Sequence, residues 1–170
     1  IVEGSGQKFG NKFVLRVQLI TAKNERHLWA KSYDREIMQT TDIVSVQSEI
    51  AQLIASELKA TITPEEKQII EKVPTSNMAA LELYMKANDY LKKYEKTRDS
   101  SSHQNAVAFY NAALAIDSAF AKAYTGLARA YYDRHQLETY FKENYLDSML
   151  VLTDIALSFD DKLDEAYYLK

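Results

Sequence analysis

Ala113-Leu114-Ala115-Ile116-Asp117 recurs as Ala156-Leu157-Ser158-Phe159-Asp160, and Ala123-Tyr124 recurs as Ala166-Tyr167. Both recurrences are offset by 43 residues although they lie at separate places in the chain. A shared offset of this kind marks an internal repeat. Everything beyond Asn77 reads as helix, and the composition shifts with it. Eleven of the 12 tyrosines lie from Tyr84 onward, which asks for helices packed through aromatic rings.

Within the repeat, Tyr124-Thr125-Gly126-Leu127-Ala128-Arg129-Ala130-Tyr131 carries aromatic, Leu, small and Tyr positions at helical spacing. This resembles the first helix of a tetratricopeptide repeat. Ala128 is the small residue that lets a second helix approach closely, with Leu127 and Tyr131 filling the volume around it. The preceding helix offers Ala106, Tyr110 and Ala113 as the face that meets it. Asp117-Ser118 stands where the family usually has Asp-Pro, so the turn is expected to rely on Ser118 as a local cap. A first hairpin over roughly 78–116 has Leu83, Ala87 and Tyr90, with Lys86 at the usual Leu position. It reads as carrying an insertion, Lys96 to Ser102, between its helices. The second hairpin has Met149 where a small residue is expected and an extra stretch around His135–Lys142. A third begins and stops at Lys170.

The first 36 residues read as strands in an antiparallel meander. Phe13, Leu15, Val17 and Leu19 alternate with Arg16 and Gln18, the pattern of a strand with one buried face. A strand starting at Ile1 and a third over His27–Tyr33 flank it. The stretch Gly6–Asn11 reads as turn-rich, Gly4-Ser5-Gly6 as a hairpin turn, and Lys23-Asn24-Glu25 as a second turn. The period then changes to steps of three and four at Ile43, Val46, Ile50, Leu53, Ile54 and Leu58, a helix that covers one face of the meander. Thr63-Pro64-Glu65-Glu66 is a helix start with a capping box. The short helix it opens carries Ile69, Ile70 and Val73, and Pro74 is expected to stop it. Pro74-Thr75-Ser76-Asn77 is the expected domain boundary, dividing residues 1–74 from 75–170. The fold class is thus α+β, a small antiparallel sheet covered by a helix and followed by an all-α array of helical hairpins.

Several segments of the first half also follow one another in a familiar order. They are Val2-Glu3-Gly4-Ser5, Val17 to Ala22, Glu25 to Arg35 with its His27-Leu28-Trp29-Ala30, and Gln47 to Ala51. Together they resemble the TolB-amino-terminal-like domain that precedes tetratricopeptide repeats in many bacterial signalling proteins. The resemblance implies that residues 1–74 are the second half of that domain. It also implies an output module elsewhere in the parent protein, either a class III nucleotide cyclase or a winged-helix DNA-binding domain. Beginning at Ile1 rather than Met, the chain reads as a fragment of such a protein.

Composition limits the functions. The formal net charge is −3, with 10 basic and 10 acidic residues in 1–74 and 11 and 14 in 75–170. Neither part has the basic stripe that phosphate neutralisation demands, so no nucleic-acid binding is expected. Cysteine is absent, which removes disulfides and thiolate metal sites. No apolar run is long enough for a membrane span, and a bacterial cytoplasmic or periplasmic setting fits equally.

No catalytic, cofactor-binding or metal-ligating constellation is expected. His27, His103 and His135 lie on separate elements without a ligand-spaced partner and read as surface or packing residues. Asp34-Arg35-Glu36 reads as an ion-paired strand end, and Trp29 as packed under the covering helix. Binding residues are placed instead on the concave face that the first helices of stacked hairpins form. The outward positions are Tyr84, Asn88 and Lys92 in the first hairpin and Lys122, Thr125, Arg129 and Asp133 in the second. Lys92, Lys122 and Arg129 are placed to clamp a peptide carboxylate, the alternative being a plain solvated face. Two functions follow: a non-catalytic module binding a protein or peptide, and an oligomerisation segment pairing through an exposed sheet edge.

Overall fold

The computed structural model describes residues 1–137 and 145–170. The chain divides into two compact units, Ile1–Ser76 and Asn77–Lys170. Among the described residues no helix is long and apolar enough to cross a membrane.

The first unit holds β1 (Val2–Phe9), β2 (Lys12–Ile20), β3 (His27–Glu36), α1 (Thr40–Glu57) and α2 (Pro64–Ile70). The strands form an antiparallel sheet in the order β1-β2-β3. Register puts Gly4, Val17 and Lys31 abreast, and Gly6, Leu15 and Tyr33 abreast on the same face. Helix α1 lies on that face, where Val46 and Ile50 pack with Val17, Tyr33, Leu15 and Trp29. Glu49 of α1 reaches back to Lys31 and to Arg35, the latter at 3.8 Å. Asp34 pairs with Lys12 at 3.0 Å across the strands.

Two expectations for this unit are corrected. Gly4-Ser5-Gly6 is not a turn; the three residues lie inside β1, opposite Val17, Arg16 and Leu15. At Gly6 a Cβ would stand 3.1 Å from the Phe13 ring, so the residue is small because an aromatic side chain lies over it. The turn is at Gly10-Asn11, where Gly10 has a φ of +61° that suits glycine. Helix α2 opens as its sequence prescribes, with Thr63 and Glu66 exchanging bonds of 3.2 and 2.8 Å. It ends at Ile70, so Val73 lies beyond the helix and Pro74 does not stop it. The closing bonds run from Glu71 and Lys72 to Lys67 and Ile69.

The second unit contains α3 (Met78–Thr97), α4 (Ser100–Ile116), α5 (Ala121–Leu137), α6 (Tyr145–Phe159) and α7 (Asp164–Leu169). Asn77 caps α3 through a 3.1 Å bond from Ala80 N–H, a contact worth about 1 kcal/mol. The expected insertion at Lys96–Ser102 is not a loop. Lys96 and Thr97 remain in α3, Arg98 takes the left-handed conformation, and Asp99 caps α4 at once. The Asp99 carboxylate accepts the Ser102 and Ser101 hydroxyls at 2.7 and 3.0 Å and Ser101 N–H at 3.1 Å. Those bonds, the Ser102 hydroxyl foremost, hold the carboxyl below its ordinary range. The extra residues therefore lengthen the helices. The other expected insertion is helical through Leu137, and its remainder lies outside the described residues.

The 43-residue repeat is also a repeat of hydrogen bonds. Asp117 N–H donates to Ala113 O and Asp160 N–H to Ala156 O, both at 2.9 Å. The Asp117 carboxylate accepts Ala119 N–H at 3.0 Å, and that of Asp160 accepts Lys162 N–H at 3.2 Å. Tyr124 and Tyr167 then donate their hydroxyls to the carbonyls of Ser118 and Asp161, at 3.2 and 3.1 Å. The aspartate, not Ser118, closes each turn. Its ionised carboxylate accepts an N–H more strongly than a serine hydroxyl does.

Aromatic packing fixes the helix pairs. Tyr94 of α3 and Tyr110 of α4 are fully buried in one cluster with Ala87, Leu91, Ala106, Leu127 and Ala130. Buried His103 meets the Tyr94 ring edge-on at 5.0 Å, and its Nε2 lies 3.0 Å from Ala130 O of α5. Ala128 is buried against Met149 of α6 and Leu169 of α7. The small residue at Ala128 thus leaves room for the larger Met149, as volume-conserving packing requires.

Candidate functional site

A cleft of about 170 Å³ opens in the second unit, lined by Tyr84, Asn88, Leu91, Lys92, Glu95, Tyr110, Gly126, Arg129 and Glu165. Residues 84, 88 and 92 stand four apart on one face of α3, and Glu95 continues that row. Helix α5 brings Arg129, α7 brings Glu165, and Tyr110 of α4 forms part of the wall. Tyr110 sits there because Gly126 of α5 has no side chain. A Cβ on Gly126 would lie 2.4 Å from Tyr110 Cε1, well inside contact distance. The Tyr110 hydroxyl donates to Asn88 Oδ1 at 2.6 Å, and the Tyr84 ring packs tilted against Tyr110 and Phe120.

Arg129 is the electrostatic centre. Its Nε donates to Asp133 Oδ1 at 2.8 Å and its Nη2 stands 3.5 Å from Glu95 Oε1. Partial burial works against the guanidinium charge, but Asp133, Glu95 and Glu165 together raise its proton affinity. The Asp133 side chain is only 8% exposed, and burial pushes its carboxyl above the ordinary range; Arg129 opposes that shift and Glu95 adds to it. Oδ2 of Asp133 is buried with no hydrogen-bond partner among the described residues. Burial also raises both phenols, Tyr110 strongly, and the charge of Glu165 adds to each shift.

Four of the seven expected binding residues, Tyr84, Asn88, Lys92 and Arg129, meet in this cleft. Lys122 is exposed but does not line it. Thr125 and Asp133 are corrections, because both are buried rather than outward-facing. Thr125 donates its hydroxyl to Ala121 O at 3.3 Å, within its own helix. Ala121, Ala123, Thr125 to Ala128, Ala130 and Asp133 are all buried, so α5 has no broad solvent face. Arg129 is already ion-paired, which removes it as a free arm of a carboxylate clamp. Glu95, Tyr110 and Glu165 were not foreseen as lining residues. Glu95 follows Asn88 by seven residues on the same helix face, but Glu165 comes from the next repeat, where only stacking reveals it. Among the described residues no group of three or more His, Cys, Asp or Glu is placed to hold a metal ion.

Two larger depressions lie on the first unit. One, about 430 Å³, is on the sheet and includes Ser5, Arg16 and Ser32; the other, about 450 Å³, includes Val44, Ser48 and Val73. The first gathers Glu3, Arg16 and Lys31 from the three strands and the second has Glu49 and Glu71, but neither contains a residue that the sequence placed as a binding position.

No protein-family model matches the chain. A protein of Rhizobium meliloti (strain 1021) named "Putative adenylate cyclase 3" is similar to it. The two are 26% identical over 128 residues, covering 75% of this chain and 21% of that protein. The chain therefore corresponds to about a fifth of that relative's length.

Proposed function

We propose that this chain is a non-catalytic interaction region of a larger bacterial signalling protein. In this reading the helical unit is of tetratricopeptide type and takes an extended segment of a protein partner. One observation carries it: α3, α5 and α7, the first helices of three successive hairpins, all contribute side chains to the same cleft. Such side-by-side placement is how stacked hairpins present a peptide surface. The first unit is read as part of a TolB-amino-terminal-like domain. The similarity to a protein with a cyclase name supports an accessory region of a class III nucleotide cyclase as the particular setting. The chain itself is expected to form no cyclic nucleotide from ATP with magnesium or manganese.

Lys92 is the suitable probe, because it lines the cleft, is exposed and has no ion-pair partner among the described residues. Partner segments captured by the wild-type chain from a peptide library should bind Lys92→Glu differently by about threefold or more. Equal affinity of wild type and variant for every captured peptide would remove the cleft from the binding surface.

A second reading rests on β1. Among the described residues no strand pairs with its outer edge, and Val2–Phe9 contains no proline to block pairing. If copies join through that edge, the mass from light scattering rises toward a dimer with concentration. A monomer at every concentration rules the edge out.

A further inference from the structure

The lining of the cleft is balanced in charge, with Lys92 and Arg129 against Glu95 and Glu165. The four are not equally engaged. Arg129, in the middle on α5, is held by Glu95 and by Asp133, which is buried outside the lining. The polar end of Asn88 is also occupied, since its Oδ1 accepts the Tyr110 hydroxyl at 2.6 Å. What remains open is one cation and one anion. Lys92 on α3 and Glu165 on α7 are exposed, and neither has an ion-pair partner among the described residues. They line the same cleft from different helices without pairing with each other. Burial raises the phenols of Tyr84 and Tyr110, and the charge of Glu165 adds to both shifts, so that charge is felt across the cleft.

We propose that the bound protein segment is dipolar, carrying an acidic residue that meets Lys92 on α3 and a basic residue that meets Glu165 on α7. The inference rests on the concave-face reading above and specifies the chemistry of that face. Each contact is a charge-assisted hydrogen bond between groups that are otherwise left to solvent. Leu91 and the rings of Tyr84 and Tyr110 supply uncharged lining for the stretch between the two charges. A segment with one charge satisfies one wall and meets a like charge on the other. An acidic residue directed at Arg129 instead must draw the guanidinium from Asp133, which strands a buried carboxylate. The whole chain, at −3, attracts basic segments to its surface without regard to site. A segment with no net charge gains nothing from that field, so its capture reports the two walls.

The test uses the full chain and the peptides it captures from a random library. Each captured peptide is remade with its acidic residue as the amide, with its basic residue as glutamine, and with both changes. Affinities for the wild type, Lys92→Gln and Glu165→Gln are read by fluorescence anisotropy near neutral pH and low ionic strength. Both substitutions are at exposed positions and should leave the far-UV spectrum and melting curve in place. Neutralising the acidic residue should weaken binding to the wild type by about threefold and leave binding to Lys92→Gln unchanged. Neutralising the basic residue should do the same, with Glu165→Gln as the indifferent protein. If the doubly neutral peptides bind the wild type as tightly as their parents, the dipolar inference fails and the concave-face reading stands. If each loss is as large in the matching variant as in the wild type, the charges meet other residues and the inference also fails. If the wild type captures no peptide, the inference and the concave-face reading fail together.

Discussion

Gly126→Ala lowers the melting temperature of the helical unit, although alanine is the better helix former by about 1 kcal/mol. The reason is Tyr110. An alanine Cβ would stand 2.4 Å from its Cε1, 2.6 Å from its Cζ and 2.9 Å from its hydroxyl oxygen. Tyr110 is fully buried within the α3–α4–α5 cluster, so the ring can yield only toward the cleft it lines, away from its place against the helices. Overfilling such a site costs about 1–3 kcal/mol and sometimes more. Displacing the ring also strains its 2.6 Å bond to Asn88, worth about 1 kcal/mol. Against the propensity gain, the net destabilisation is about 2 kcal/mol, a fall of about 10 °C for a unit of this size. Circular dichroism melting curves measure it directly. In a double-mutant cycle, shortening Tyr110 to leucine should cost less when alanine is already at 126, with a coupling of at least about 1 kcal/mol. A Gly126→Ala protein melting at or above the wild type would mean that the ring does not lie on α5.

Gly126 also shows where sequence reading stops. The repeat was legible because its signals are local: the Asp117 and Asp160 turns and the tyrosines after them recur in the same order. Capping at Thr63-Pro64 and alternation in Phe13–Leu19 were legible for the same reason, since they depend on neighbours a few residues away. Helix ends were less so. Lys96 to Ser102 resembled a polar insertion because polar side chains suit both a loop and the exposed ends of two long helices. Gly4-Ser5-Gly6 resembled a turn because glycine serves turns and crowded strands alike; only the ring of Phe13 across the sheet decides between them. The site divided along the same line. Tyr84, Asn88 and Lys92 follow from spacing on a helix with one open face. Thr125 and Asp133 obey the same spacing on α5, but neighbouring helices enclose it. Whether an i, i+4 row faces solvent is a tertiary property, and one row of α5 does not.

The enclosure of Asp133 sets the second large effect, which belongs to Arg129→Leu. At neutral pH the substitution removes the cation that holds Asp133 at 2.8 Å and approaches Glu95 at 3.5 Å. Breaking a buried pair from one side costs about 3–5 kcal/mol. Arg129 is 35% exposed, so solvent screening reduces the expected loss to about 2 kcal/mol. The loss must depend on pH, and its sign follows from Asp133. Burial raises the folded-state affinity of this carboxyl for its proton, while the unfolded chain keeps the ordinary value near 3.9. Stability from a raised group is fully present below the unfolded value and is lost as pH rises through the folded one. Without Arg129 the folded value rises further, because the guanidinium is the influence that opposes burial. The variant should therefore approach wild-type stability in acid and fall below it progressively toward neutral pH. Urea midpoints collected across that window test the slope. Asp133→Asn in the same background should flatten it, since the amide carries no charge to strand. A deficit of equal size at every pH would remove Asp133 as its source. The same logic bears on binding experiments. An Arg129 variant changes the fold's own ion pairs before it meets a ligand, so loss of a partner in Arg129→Glu does not identify a contact. Lys92 and Glu165 line the same cleft without an ion-pair partner among the described residues, and their substitution leaves the Arg129–Asp133 pair in place. A change in affinity at those two positions reports recognition itself.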